Sequence, residues 1–237
     1  MKDLIAQIFK NYNFELNNKQ IEQFYSYYTF LIQENEKFNL TAITDPLEVI
    51  VKHFVDSVLA EKYIKNSARI IDVGTGAGFP GVPLKILRPD IKVTLLDSLK
   101  KRVNFLNQLI DKLQLKEIKA VHARAEDYVK EEREKFDVAL SRAVAQIPTL
   151  SEYLLPYVKI GGKAIMYKGL NIDEELEMGR YAIKTLGGVV ESQKEFELQE
   201  VSSSRSIIII SKTSHTPTKY PRGKNQPRTN PLIENKK

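Results

Sequence analysis

Between residues 69 and 81 the chain reads RIIDVGTGAGFPG, an apolar run interrupted by Asp72 and followed by Gly74, Gly76 and Gly78. Glycine has no Cβ and tolerates left-handed backbone angles, so such a loop turns sharply and lets its peptide groups approach a ligand closely. Asp97 closes the next apolar run, IKVTLLD, twenty-one residues after Gly76. Where two parallel strands end side by side at a ligand crevice, a carboxylate in that place can accept hydrogen bonds from both vicinal hydroxyls of a ribose. A nicotinamide dinucleotide uses the same arrangement, but with the spacing G-x-G-x-x-G/A that seats a pyrophosphate on a helix N-terminus. Here the third glycine arrives one residue early, Phe79 takes the sixth position, and Pro80 and Pro83 follow. The spacing favours an adenosyl ligand without pyrophosphate, S-adenosylmethionine, held by Asp72 and the loop backbone, with Thr75 and Ser98 in the same set. ARAED (123–127) offers Ala125 and Glu126 to the adenine ring, although Glu126 and Asp127 would also favour a helix start through its dipole. A plain strand-to-helix turn remains the alternative for the glycines.

Methyl transfer from a sulfonium is an in-line displacement, so positioning supplies much of the acceleration. Methylation of cytosine carbon-5 needs a cysteine nucleophile, and the chain has no cysteine. Exocyclic amines are commonly met by an Asp/Asn-Pro-Pro-aromatic turn after the fourth strand, where this chain reads LSRAVAQIP. Guanine N7 carries an exposed lone pair and no proton, so it requires only holding, stacking and a suitable electrostatic pocket. Arg142 at the end of the fourth strand suits the edge of a guanine or a nearby phosphate, or else a salt bridge with Glu126 or Asp97. Lys168, closing AIMYKG, reaches the same rim or stays solvated. His53 and Asp56, three apart on a helix, are expected to be structural or docking residues. Asn39 at a helix end is equally a good C-terminal stop.

The elements that must position these groups alternate in kind. Residues 1–66 read as a helical extension, with Ile21, Phe24, Tyr28, Leu31 and Ile32 on one face of a helix ending near Asn39. A second helix starts after Asp45 as N-cap, with Pro46 at its first position. From residue 67 to 212, apolar runs alternate with helical segments, which predicts an α/β fold with a doubly wound, mostly parallel sheet. The last two runs, VVESQKEFEL and RSIIIIS, read as a hairpin at the sheet edge.

Net charge at pH 7 is +6, and its location is informative. Residues 1–211 hold 29 Lys and Arg against 29 Asp and Glu; the excess lies in the last stretch, which also has four of the ten prolines. The composition of 213–237 predicts an unpacked basic arm for an anionic partner, with Lys219, Arg222, Lys224 and Arg228 as its contacts. No apolar run approaches a membrane span and no secretory signal opens the chain, so a cytoplasmic location without membrane or metal is expected. Nothing demands a partner copy, and a monomer is expected.

NLTAIT (39–44), HFVDSV (53–58), DVGTGAGFPGVPL (72–84), LLDSLKKRVNFL (95–106), ARAED (123–127), SRAVA (141–145) and KYPRGKNQPRTNPL (219–232) occur in this order. Together they resemble the ribosomal RNA small-subunit methyltransferase G family, also known as the glucose-inhibited division protein B family. The resemblance implies a seven-stranded, Rossmann-like class I methyltransferase fold and methylation of N7 of one guanosine in bacterial 16S rRNA. It assigns Gly74 and Phe79 to cofactor contact, Asp97 to the ribose, Ala125 and Glu126 to the adenine region, and Arg142 to the space between cofactor and base. It also raises Asn39, Lys168 and Arg205 to candidate RNA or active-site residues. Three other readings stay open. A small-molecule methyltransferase leaves the basic tail unexplained, a nicotinamide oxidoreductase needs the longer glycine spacing, and a non-catalytic RNA-binding or assembly module leaves Asp97 and the glycines without a purpose.

Overall fold

The computed structural model describes residues 1–142 and 144–234; Ala143 of the SRAVA motif and residues 235–237, including tail residues Lys236 and Lys237, lie outside the described residues. The alternating runs form strands β1 (Arg69–Val73), β2 (Lys92–Asp97), β3 (Ile118–His122), β4 (Phe136–Arg142), β5 (Val158–Lys168), β6 (Gly188–Leu198) and β7 (Ser203–Lys212). They join in one sheet of order β3-β2-β1-β4-β5-β7-β6. The first five pair in parallel, while β7 inserts antiparallel between β5 and β6, so the predicted hairpin forms and β6 takes the edge.

Helices cover both faces. On one side lie α1 (Lys2–Asn11), α2 (Asn18–Phe38), a helical rod beginning with α3 (Pro46–Val49) and ending with α4 (Asp56–Val58), α5 (Gly81–Leu87) and α6 (Lys100–Lys112). The other side carries α8 (Ile147–Leu154) and α9 (Asp173–Thr185), with α7 (Ala125–Glu132) between β3 and β4 and the short α10 (Gln226–Thr229) near the end. The run Ile207–Ile210 shows the two-residue period of a strand buried on both faces. Ile207 and Ile209 join Phe9, Phe24, Leu31 and Phe54 in one apolar cluster, while Ile208 and Ile210 join Leu150, Leu154, Ile183 and Tyr220 in the other.

The N-terminal extension therefore shares a core with the sheet. Helix α2 starts in a capping box, in which Gln20 N–H donates to Asn17 Oδ1 and Asn17 N–H to Gln20 Oε1. It ends at Asn39, whose left-handed backbone (φ 48°) makes it the cap. Its buried stripe is Gln20, Phe24, Tyr27, Leu31 and Glu34. The stripe is rotated from the predicted one: Tyr27 is fully buried where Tyr28 was expected. Asp45 caps α3 as its sequence predicts, accepting Glu48 N–H at 3.0 Å. The rod then widens into a π-helical turn over Ile50–Val55 before α4 resumes α-helical geometry.

The C-terminal stretch departs from the predicted arm. Tyr220 and Leu232 are buried in the second cluster, and Thr149 Oγ1 donates to the Pro227 carbonyl, pinning α10 against α8. Glu152 is fully buried and takes Arg222 as its partner through the guanidinium Nε and Nη2, with Nη2 at 2.7 Å. Glu134 accepts Thr216 N–H at 2.8 Å. A handful of apolar anchors and these carboxylates, supplied by the main body, dock a segment whose own composition is too polar to fold alone.

Candidate active site

The C-terminal ends of β1, β2, β4 and β5 open onto one crevice, where a doubly wound sheet places its ligands. After β1 the glycine turn folds back on β2, with Gly74 N–H donating to the Leu96 carbonyl at 2.8 Å. Gly76 sits at φ 61°, its N–H donating to Asp97 Oδ2 at 2.9 Å, and a Cβ built on it would enter open space. Asp97 Oδ1 accepts Leu99 N–H at 2.9 Å, so the carboxylate is held by two backbone donors at the strand end. Gly74, Asp97 and Ser98 also line an adjoining cavity of about 380 Å³ with Ala125 and Glu126. The sequence-predicted cofactor residues Gly74, Thr75, Gly76, Phe79, Asp97, Ser98, Ala125, Glu126 and Arg142 thus surround two connected hollows.

Two members of the predicted set act from behind. Asp72 is fully buried and accepts from Thr75 Oγ1 at 2.7 Å and Gly81 N–H at 2.8 Å, bracing the turn without lining either hollow. Burial raises its carboxyl to about 6, against the two hydrogen bonds that favour the charged form. Gly78 (φ 103°) faces inward as well: a Cβ there would lie 2.8 Å from the Tyr27 hydroxyl and from Val82. Tyr27 donates to the Ala77 carbonyl at 2.5 Å, so α2 holds the turn from below. Only tertiary packing reveals that contact; in sequence Tyr27 is one of several clustered aromatics.

The larger hollow, about 770 Å³, carries the cations. Arg142 does not pair with Glu126 or Asp97. Its Nη1 donates to Asp56 Oδ2 at 2.8 Å and to the Lys52 carbonyl at 3.1 Å, and its Nη2 approaches His53 Nδ1 at 3.3 Å. The guanidinium carbon lies 4.9 Å from the Phe79 ring centre, a cation–π distance. Phe79 stacks on the His53 imidazole with centroids 4.5 Å apart. His53 and Asp56 therefore meet at Arg142, not at each other; the widened turn of the rod supplies His53 and the first residue of α4 supplies Asp56. Burial, reinforced by the Arg142 charge, lowers His53 to about 3 and keeps it neutral. Burial raises the Asp56 carboxyl, opposed by Arg142 and Arg205. Arg205 Nε stands 3.7 Å from Asp56 Oδ1, which has no hydrogen-bond partner among the described residues.

Lys168 reaches the rim, donating to Glu175 at 2.5 Å and to the Ala145 carbonyl at 3.0 Å. Asn39 does not: it is exposed at the cap of α2, while Leu40 and Thr41 beyond it line the hollow. Of the four tail cations, Arg222 is occupied by Glu152. Lys219 and Lys224 are exposed. Arg228 lies at the crevice itself, lining both hollows and donating to the Val144 carbonyl at 3.0 Å. The expected division, with the tail for one partner and the glycine crevice for another, gives way to a shared wall, because α10 packs against α8.

A family model described as "GidB: rRNA small subunit methyltransferase G" matches residues 20–207. Among similar proteins, the Ribosomal RNA small subunit methyltransferase G of Lachnoclostridium phytofermentans is 50% identical over 226 residues, covering 94% of this chain and 93% of that protein. The protein of the same name from Acetivibrio thermocellus is 47% identical over 239 residues, covering 98% and 97%. Among solved structures, geranyl diphosphate C-methyltransferase from Streptomyces coelicolor, bound to S-adenosyl-L-homocysteine, superposes with TM-score 0.54 at 9% identity, covering 67% of this chain and 79% of that one. Precorrin-6y C5,15-methyltransferase from Geobacter metallireducens gives 0.51 at 15% identity, covering 67% and 87%. At such identities these structures speak for the fold alone, that of the class I methyltransferases.

Proposed function

Because the chain belongs to the rRNA small subunit methyltransferase G family, we propose that this S-adenosylmethionine-dependent enzyme methylates 16S rRNA at N7 of one guanosine. The observation that carries the reading is the meeting of the open Gly76–Asp97 edge with the Arg142–Phe79–His53 stack in one crevice. The residues fit the cofactor: Gly76 leaves open space where any other side chain would project, and Asp97 waits beside it with oxygens suited to ribose hydroxyls. Gly74, Gly76 and Asp97 would hold the cofactor's ribose and amino-acid portion, and Ala125 and Glu126 its adenine. S-adenosylmethionine supplies an electrophilic methyl group on a sulfonium.

The protein's own groups hold and orient. N7 has no proton to lose, and neutral His53, packed against Phe79 and Arg142, is not required as a base. Arg142 carries the donors that match the O6 and N7 edge of guanine or a phosphate, and Asp56 keeps its guanidinium in register. Lys168, Arg205 and Arg228 surround the mouth with positive charge for the phosphate backbone.

The test incubates the protein with labelled S-adenosylmethionine and small ribosomal subunits from cells lacking this enzyme, then maps the label. Label on one guanine N7 of 16S rRNA is expected. Label on another base overturns the acceptor assignment while keeping the enzyme class, and no label despite cofactor binding removes the mature subunit as substrate.

A further inference from the structure

Thr41 belongs to none of the predicted sets, yet its hydroxyl occupies a position of fixed hydrogen-bond polarity in the larger hollow. Its backbone is anchored, with Thr41 N–H donating to Asn35 Oδ1 at 2.8 Å. Its Oγ1 accepts Ile43 N–H at 3.0 Å and stands 2.9 Å from His53 Nε2. The direction of the second bond follows from the far side of the imidazole. Arg142 Nη2 faces His53 Nδ1 at 3.3 Å, and a guanidinium only donates. Nδ1 must therefore accept, so the single proton of the neutral ring sits on Nε2 and is given to Thr41. Burial and the neighbouring cation lower the His53 value to about 3, so the ring carries a single proton.

A hydroxyl has two lone pairs and one hydrogen. Both lone pairs of Thr41 are filled, by Ile43 and by His53, and what remains is the O–H. Thr41 lines the hollow beside His53, Phe79 and Arg142. We propose that Thr41 is a substrate-binding residue that donates its hydroxyl hydrogen to an acceptor oxygen of the bound RNA. The inference rests on the reading that RNA enters this crevice. Two oxygens share the chemistry. The O6 carbonyl of a target guanine is one, and it would make Thr41 discriminate against adenine, which presents an amino donor at that edge. A backbone phosphate oxygen is the other. In either case the polarity is set from Arg142 through His53, so the same arginine that lines the crevice also fixes what Thr41 can recognise.

The experiment measures single-turnover methylation of small subunits reconstituted with 16S rRNA carrying either guanosine or 2-aminopurine riboside, which lacks O6, at the target position. A third set carries neutral methylphosphonates at flanking phosphates. Wild type, Thr41→Val and Thr41→Ser are compared, with cofactor affinity measured for each. Failure of the wild type on guanosine subunits and on the free guanosine-bearing 16S rRNA alike removes the parent reading, separately from anything concerning Thr41. Given wild-type activity, Thr41→Val is expected to be slower by ~10-fold, one hydrogen bond's worth, with cofactor affinity kept and Thr41→Ser restoring the rate. If the Val deficit disappears with 2-aminopurine, the acceptor is the base oxygen; if it disappears with one methylphosphonate, the acceptor is that phosphate. A Val deficit of equal size on every RNA, a Ser variant as slow as Val, or a Val variant as fast as wild type overturns the proposal and leaves Thr41 as a brace for His53.

Discussion

Arg142 is held by a buried carboxylate, two main-chain carbonyls and an aromatic face, so its removal has two consequences that can be separated. Arg142→Ala is expected to abolish methylation and also to destabilise the fold by about 3–5 kcal/mol, because Asp56 is left buried without its partner. Adding Asp56→Asn should recover most of that stability in urea unfolding but none of the turnover; recovered turnover would remove Arg142 from the chemistry. His53 gives a pH signature. Its folded-state value of about 3 lies below the ordinary 6.5, so the unfolded chain takes up a proton first as pH falls. Its contribution to stability is complete above 6.5 and is lost progressively toward 3. Urea midpoints between pH 7 and 4 should fall more steeply for wild type than for His53→Gln, and parallel slopes would contradict a buried neutral imidazole. The glycines divide in the same manner. Gly76→Val should abolish cofactor binding in calorimetry at a stability cost of about 1–2 kcal/mol for its left-handed backbone, since its side chain collides with no other atom of the protein. Gly78→Ala should instead lower stability by about 1–3 kcal/mol, through collision with Tyr27 and Val82.

At the scale of elements, the π-helical turn and the docked C-terminal segment shape the crevice. Wide turns of this type recur at functional sites because they shift side chains and carbonyls out of α-helical register; here the turn presents the Lys52 carbonyl and His53 to Arg142 together with Asp56, the first residue after it. The C-terminal segment hangs on Glu152, whose carboxylate has no exposure and, among the described residues, one cationic partner, Arg222. Arg222→Ala is expected to cost about 3–5 kcal/mol, to open the segment to proteolysis after Lys219 and Lys224, and to weaken cofactor binding because Arg228 leaves the crevice wall. Unchanged proteolysis would show that the apolar anchors Tyr220 and Leu232 hold the segment without the ion pair.

At the scale of the whole molecule, the docked segment brings part of the tail's charge to the crevice through Arg228. The exposed Lys219 and Lys224 belong to the same docked segment as Arg228, which lines the hollow together with Lys168 and Arg205. Affinity for the small subunit should fall steeply with salt, and Lys219→Ala with Lys224→Ala should lessen the log–log slope by roughly 2 while leaving cofactor affinity alone. Arg228→Ala should reduce both affinities, since it lines both hollows. An unchanged salt slope for the double lysine variant would place the RNA path on another side. No helix among the described residues is long and apolar enough to cross a membrane.

Local chemistry made much of this legible in one dimension. Each of the seven strands falls on a predicted apolar run, the glycine turn follows β1, Asp97 ends β2, and Asp45 and Asn39 cap where capping residues are expected. All of these depend on neighbours within a few residues, on periodicity and on backbone freedom. The order of the strands, the insertion of β7, the inward roles of Asp72 and Gly78, the Tyr27 contact beneath the turn, and the partnership of Arg142 with Asp56 and His53 were decided by the tertiary structure. So was the docking of the C-terminal segment, read from its composition as a free arm. The contacts under the turn, at Arg142 and along the C-terminal segment join residues 50 to 90 positions apart, and the free energy that selects them comes from burial: a charge or hydroxyl removed from water must find the one partner that packing brings to it, and nothing in the spacing of residues along the chain names that partner.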